Sequence, residues 1–507
     1  MPEIRGHHVD EGLRPAGYAR LVERHDLKAP LRRLSVVSEG SVRGNRRVDG
    51  LLTIHDKRDW PGEDDVAHLD FAMHREPLDL LLMKKAFEAI DPLALAEFVK
   101  EHPISASGRR LWFLYEWLTG SKLNLKDLNS GNYIDMLDPE IYYALGQGKS
   151  SKRHRVRDNL PGTRAFCAIA RRPAPMDLAS ELSAKAKGIV EAAEPGTVQR
   201  AAAFMLLSDS KSSFAIEGET PPQDRLQRWG RTLAQAGRQQ LSIELLDRLQ
   251  KDVLGEDRFI EPGLRTEGVF LGTRDRFNDP RPEFIGARPQ DLEGLVNGLL
   301  QYDQMLQADT AFNALVHSAG LAFGFVYVHP YADGNGRLHR YLINHVLAER
   351  KFSPDGVVLP VSAEILARIA DYSALLRSRS GPLLDFIEWK QTDKGNVEVT
   401  ADTSDLYRYI DVTDEAAFLS ECVRSTVEKT FPAEISFLES YDKASRRIGA
   451  MIEMPNNMIG TLIVQVVNNG GRVPNKRRKN EYKKLTDDEV SKVEDVIKEE
   501  FEIGGPA

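Results

Sequence analysis

One run of residues holds most of the chemistry available to this sequence: His329-Pro330-Tyr331-Ala332-Asp333-Gly334-Asn335-Gly336-Arg337-Leu338-His339-Arg340. Gly334 and Gly336 bracket Asn335, so the backbone can turn through positive φ and aim successive N–H groups at one point. A helical pattern follows at once through Leu338, Tyr341, Leu342 and Val346. A glycine-rich turn opening a helix is an anion site, because its free N–H groups and the helix dipole both favour negative charge. Arg337 and Arg340 lie three apart and add charge-assisted donors from nearly one face. Asp333 stands where a carboxylate can hold Mg²⁺ against phosphate oxygens and water. His329, neutral near pH 7, can accept a proton at the mouth of the turn. A phosphate cradle, a metal carboxylate, two arginines and a base read as phosphoryl or nucleotidyl transfer to a hydroxyl. The plainer alternative is a tight turn with a surface histidine and two solvated arginines. It explains a lone glycine pair but not the whole set in one segment.

The surrounding pattern is mostly helical. Apolar residues at helical spacing predict a helix over 198–216 and helical stretches at 224–253, 289–306, 311–327, 336–350 and 362–378. Two short β-prone runs, 268–271 and 283–285, flank a Pro/Asp/Asn loop and predict a hairpin. Residues 1–170 mix helical patterns, such as the one carrying Leu111, Phe113, Leu114 and Trp117, with turn-rich segments. The basic stretch Lys149 to Phe166 reads as a linker or solvated loop in preference to a nucleic-acid patch. The expected division is an N-terminal accessory region over 1–170, a catalytic core over 175–395, and a helical accessory region over 396–507.

At 507 residues the chain calls for two or three domains. A net charge of −8 argues against a protein built mainly to bind nucleic acid or an anionic membrane, while leaving room for a local basic patch. The two cysteines, Cys167 and Cys422, have no metal-ligand spacing and fit a reducing compartment. No apolar leader and no membrane-spanning run is visible, so the cytoplasm is the expected location.

The signature resembles that of the Fic (Fido) family, HPFx(D/E)GNGRxxR, with Tyr331 where Phe is usual. The resemblance implies a mainly α fold: a helical Fic core with a small β-hairpin flap, flanked by an N-terminal mixed region and a C-terminal helical region. It implies a protein adenylyltransferase that moves AMP from ATP, with Mg²⁺, onto a Ser, Thr or Tyr hydroxyl. His329 would be the general base and Asp333 the metal ligand. Gly334, Asn335 and Gly336 would form the anion hole, with Arg337 on phosphate oxygens and Arg340 on the γ-phosphate. Gly336-Arg337, where the Doc-type kinases carry Lys-Arg, favours nucleotidyl over phosphoryl transfer.

Upstream, Ser213-Phe214-Ala215-Ile216-Glu217-Gly218 resembles the family's inhibitory motif, (S/T)xxxE(G/N), at the end of a helix over about 198–217. It implies that Glu217 pairs with Arg340 and keeps the γ-phosphate out. The hairpin resembles the target-docking flap, with Val269, Phe270 and Leu271 as the clamp. Tyr372 is a candidate for the adenine pocket, equally readable as a core tyrosine, and Arg379 stands where relatives often have Asn. The expected partner is a protein substrate of unidentified sequence, with self-modification and a homodimer as further outlets and no membrane. Rival readings are removal of AMP, transfer of another nucleotide or phosphate group, and a nucleotide-sensing regulator whose basic C-terminal run binds DNA.

Overall fold

The computed structural model describes residues 3–44, 46–172, 175–255 and 259–503. The expected mainly α architecture is present, with only short sheets between the helices. Asp64, Asp79, Asp91 and Ser105 each cap a helix of the N-terminal region by accepting a backbone N–H in its first turn. Those helices, Asp65–Arg75, Leu80–Ala89, Pro92–Glu101 and Ala106–Thr119, pack beside a four-stranded sheet ordered Leu13–Pro15, Leu34–Ser38, Leu52–His55, Arg46–Asp49.

The basic stretch after Lys149 is not a linker. Lys149–Ser151 pairs antiparallel with Val156–Asp158, which pairs in parallel with Ile134–Asp135. The positive charges that suggested a solvated loop are bound to acids distant in sequence: Arg157 to Asp135, and Arg153 to Glu116 and Asp127. A parallel pair, Cys167–Ile169 with Tyr409–Asp411, then joins the N-terminal region to the segment beyond 396. One continuous apolar core runs from Ile4 to Leu438.

The core helices fall where periodicity puts them, with two breaks. The expected 224–253 stretch divides into Gln223–Leu233 and Ile243–Leu254, turned by Gly237 at φ 76. The expected 362–378 helix divides at Arg368, giving Val361–Ala367 and Ile369–Leu384. Ala314–Val328 is apolar and buried almost all round, as a central helix must be, and it packs against Asn335–Glu349. The flap strands are Phe270–Arg274 and Pro280–Ile285, longer than the apolar runs alone predict. Asp275 closes their short connection by accepting from Phe277 N and Asp279 N. A second hairpin, Trp389–Gln391 with Val397–Val399, braces the first: Asn396 Nδ2 donates to Gly268 O and Gln391 Nε2 to Asp279.

Beyond it, Phe431–Met451 leaves the main core and enters a second apolar cluster with Asn456–Asn468 and Asp487–Glu500. Within the basic run there, Arg477 pairs with Glu481 and Arg478 with Asp487. Among the described residues no helix is long and apolar enough to cross a membrane.

Candidate active site

The signature occupies the turn between Ala314–Val328 and Asn335–Glu349. His329 ends the first helix in a left-handed conformation, φ 54 and ψ 60, uncommon for a residue with a Cβ. Gly334, at φ 93, opens the second helix. Asn335 directs its side chain inward: Oδ1 accepts from Tyr331 N at 3.0 Å and Nδ2 donates to Tyr331 O at 2.8 Å. It therefore latches the turn, and what it can offer an anion is backbone. Tyr331 is buried, and its hydroxyl donates to Asp247 Oδ1 at 2.8 Å, so the departure from Phe has a dedicated partner.

His329 is 8 % exposed. Its Nδ1 lies 3.3 Å from Val326 O, and a carbonyl can only accept, so Nδ1 carries the proton and Nε2 the lone pair. Burial, with the nearby Arg265 charge, lowers its pKa to about 4, against the opposing pull of the Val326 bond, Glu217 and Asp333. A neutral imidazole with a free Nε2 is the form a general base requires.

Both arginines are buried, Arg337 1 % and Arg340 2 % exposed, and both are held by carboxylates. Arg340 Nη2 donates to Glu217 Oε1 at 2.7 Å and to Ser213 O at 2.7 Å, and Nε donates to Ser213 Oγ at 2.9 Å. Glu217 directly follows the Pro195–Ile216 helix. Arg337 donates to Glu219 Oε1 at 2.6 Å and to both oxygens of Asp333, at 3.0 and 3.1 Å. Glu219 also pairs with Arg225, 2.9 Å away. Arg340 Nη1 has no hydrogen-bond partner among the described residues, and it lies 3.3 Å from where a Cβ on Gly336 would be. That same point is 2.0 Å from Glu217 Oε1, so the carboxylate fills the hollow that Gly336 leaves.

Asp333 is the exposed carboxylate of the set, its side chain 45 % accessible. Among the described residues Oδ2 meets only Arg337, which leaves lone pairs for a cation. Among the described residues no cluster of three or more acidic, His or Cys side chains could hold a metal. A Mg²⁺ held by Asp333 would draw its other ligands from phosphates and water, which suits that ion.

The flap borders the base. Leu271 pairs with Phe284, whose ring centroid is 5.4 Å from that of His329, and Phe270 pairs with Ile285. Val269 lies one residue outside the strand and extends the ladder, its carbonyl accepting from Gly286 N at 3.0 Å. Tyr372 is buried in an aromatic cluster, stacked on His339 at 6.0 Å and also 6.0 Å from Phe418. Burial pushes its pKa up to about 12, and the adjacent Arg340 pulls the other way. Arg379 turns from the site to lie over the Tyr327 ring and donates to Leu406 O and Tyr409 O.

Glu219, Asp247, Gln250 and Arg265 are absent from the sequence reading. Gln250, fully buried, donates to Asp333 O at 3.3 Å and accepts from Gly263 N at 2.9 Å. The hydroxyl on Tyr331 is the only signal that pointed toward any of them, and it calls for a partner without saying which.

Residues 240–347 match the model of the Fic/DOC family. The chain is 28 % identical over 151 residues to the protein adenylyltransferase fic-1 of Caenorhabditis elegans, 30 % of this chain and 26 % of that protein. It is 33 % identical over 100 residues to a Fido domain-containing protein of Dictyostelium discoideum, 20 % of this chain and 61 % of that protein. A crystal structure of a Fic domain containing signaling protein from Bacteroides thetaiotaomicron covers 50 % of this chain and 96 % of its own, at 19 % identity and a TM-score of 0.36. The match thus spans about a quarter of the length of the curated adenylyltransferase named first. The matched stretch, 240–347, includes the turn that joins Ala314–Val328 to Asn335–Glu349.

Proposed function

We propose that the chain is a Mg²⁺-dependent protein adenylyltransferase, held off by Glu217. His329 Nε2 takes the proton of a target Ser, Thr or Tyr hydroxyl. The hydroxyl oxygen then attacks the α-phosphorus of ATP, the bond to the β-phosphate bridge breaks, and pyrophosphate leaves. Backbone N–H groups of Gly334 to Gly336 meet the transferring phosphate, Arg337 and Arg340 meet the remaining oxygens, and Asp333 holds the metal, which neutralises phosphate charge. The exposed edge of the flap, Leu271 included, receives an extended target segment. The division into 1–170, 175–395 and 396–507 and a cytoplasmic setting are part of the same reading.

One observation carries the brake: the Glu217 carboxylate both binds Arg340 and lies in the Gly336 hollow, so it excludes the γ-phosphate and crowds the anion hole together. Glu219 repeats the device on Arg337. The test is intact-protein mass after incubation with ATP and Mg²⁺. We expect Glu217→Gly to gain AMP, and wild type and Glu217→Gly/His329→Ala to gain none. A folded Glu217→Gly protein that transfers AMP neither to itself nor to a proteome overturns the reading.

Removal of AMP has one observation in its favour. Only Oε1 of Glu217 is bonded to Arg340, and its side chain is 34 % exposed, so Oε2 is open to a water beside the hollow. Release of AMP from a modified substrate, lost in Glu217→Gly, would select it.

A further inference from the structure

Arg265 lies outside the signature and the inhibitory motif, in the segment leading into the flap, and is 7 % exposed. Among the described residues no carboxylate pairs with it. Its guanidinium instead gathers three carbonyls: Nε donates to His329 O at 2.8 Å, Nη1 to Glu267 O at 2.7 Å, and Nη2 to Ala287 O. Its backbone N–H donates to Pro330 O at 3.0 Å. Glu267 and Ala287 are the two roots of the flap, one before Phe270–Arg274 and one after Pro280–Ile285. Ala287 N donates back to Val328 O at 3.2 Å, and Tyr407 hydroxyl fixes Ile285 O at 2.8 Å. Gly286 allows the approach, because a Cβ there would stand 2.9 Å from Arg265 Nη2, 2.6 Å from Val269 Cγ1 and 3.1 Å from His329 Cβ.

A buried cation without a counter-ion is costly unless its donors are met, and here carbonyl dipoles from three separate segments meet them. The planar fork of arginine can bridge three acceptors at fixed angles, whereas a lysine ammonium acts as a point charge. We propose that Arg265 is a positioning residue that fixes the target-docking flap to the backbone of the base, setting where a docked hydroxyl meets His329 Nε2. This rests on the adenylyl-transfer reading of the site. The Arg265 guanidinium is committed to these carbonyls. It acts through the 329–330 backbone and both flap roots, and a misplacement of about 1 Å at such a point costs on the order of 100-fold in rate.

The experiment compares Arg265→Lys and Arg265→Met in the Glu217→Gly background, with thermal melts as the fold check. Both variants are expected to keep the parental KM for ATP and to lose about 100-fold in kcat. The charged groups around His329 are Arg265, Glu217 and Asp333. With Glu217 already removed, loss of the Arg265 charge in Arg265→Met lets His329 protonate at higher pH, while Arg265→Lys keeps the acid limb in place. The combination of an intact limb and a lost kcat in Arg265→Lys separates positioning from charge. Parental kcat in a folded Arg265→Lys overturns the proposal, as does a KM for ATP that rises in step with the loss. If Arg265→Met fails to fold, Arg265→Lys alone decides. If the Glu217→Gly parent itself is inactive, the functional reading fails and the tie is read by NMR. Unchanged His329 and flap resonances in Arg265→Lys would then sink it.

Discussion

Two clusters in this molecule use the same residue types to opposite ends. In the N-terminal region Glu116 accepts from Arg153, from Trp112 Nε1 and from Leu123 N, with His154 Nε2 3.2 Å away. In the core Glu217 meets Arg340 beside His329. Burial lowers both histidines to about 4. In the first cluster both Glu116 oxygens are bound, His154 Nδ1 bonds Ser151 Oγ at 2.7 Å, and the buried His154 turns its unbonded Nε2 toward Glu116. The second keeps an orphan donor on Arg340, a half-exposed carboxylate, and a hollow where Gly336 lacks a side chain. A perturbed pKa marks both, so perturbation alone does not identify a site. Unfilled capacity next to a glycine does.

The comparison breaks most visibly in paired substitutions. In the Glu217→Gly background, His329→Ala is expected to lose about 10²- to 10⁴-fold in AMP transfer with little change in melting temperature. Glu116→Gln should do the reverse, keeping kcat while losing about 1–3 kcal/mol of unfolding free energy, because Arg153 loses its buried carboxylate and keeps only the exposed Asp127. Kinetics and chemical denaturation on the two proteins check this.

A pH series sharpens it. A histidine whose folded pKa is lowered is neutral above that value, so the acid limb of kcat/KM for the Glu217→Gly enzyme should fall near pH 4 and not near the ~6.5 of free imidazole. Glu217 raises the His329 pKa, so its removal moves the limb no higher. A limb at 6 to 7 would show that the His329 pocket is wetter than its burial implies.

The smallest effect concerns the departure at 331. Tyr331→Phe removes the bond to Asp247 and should cost about 1 kcal/mol of stability while leaving transfer rates within a few-fold. A large kinetic loss would mean that the Asp247 contact reaches the turn itself.

Elements that sequence periodicity exposes, such as the long amphipathic helices and the glycine turn, were legible because their determinants are local. The pairing of Glu217 with Arg340 was legible only through the family motif, since 123 positions separate the partners. The break at Arg368 and the strands within the basic stretch were not, because long-range partners decide them: Arg157 finds Asp135, and Cys167–Ile169 finds Tyr409–Asp411. Arg265 was hidden for a different reason. Its partners are carbonyls, which every residue has, so no side-chain pattern announces them.

The hollow at Gly336 has one further consequence. On the proposed reading Glu217, tethered to the same chain, is a competitor whose effective concentration is set by geometry and not by the amount of protein present. Dilution cannot relieve such an inhibitor, and raising ATP must contend with a fixed rival. A methyl group placed at 336 would evict the carboxylate and block the anion in one stroke, so inhibitor and substrate are both written into the absence of a single carbon atom.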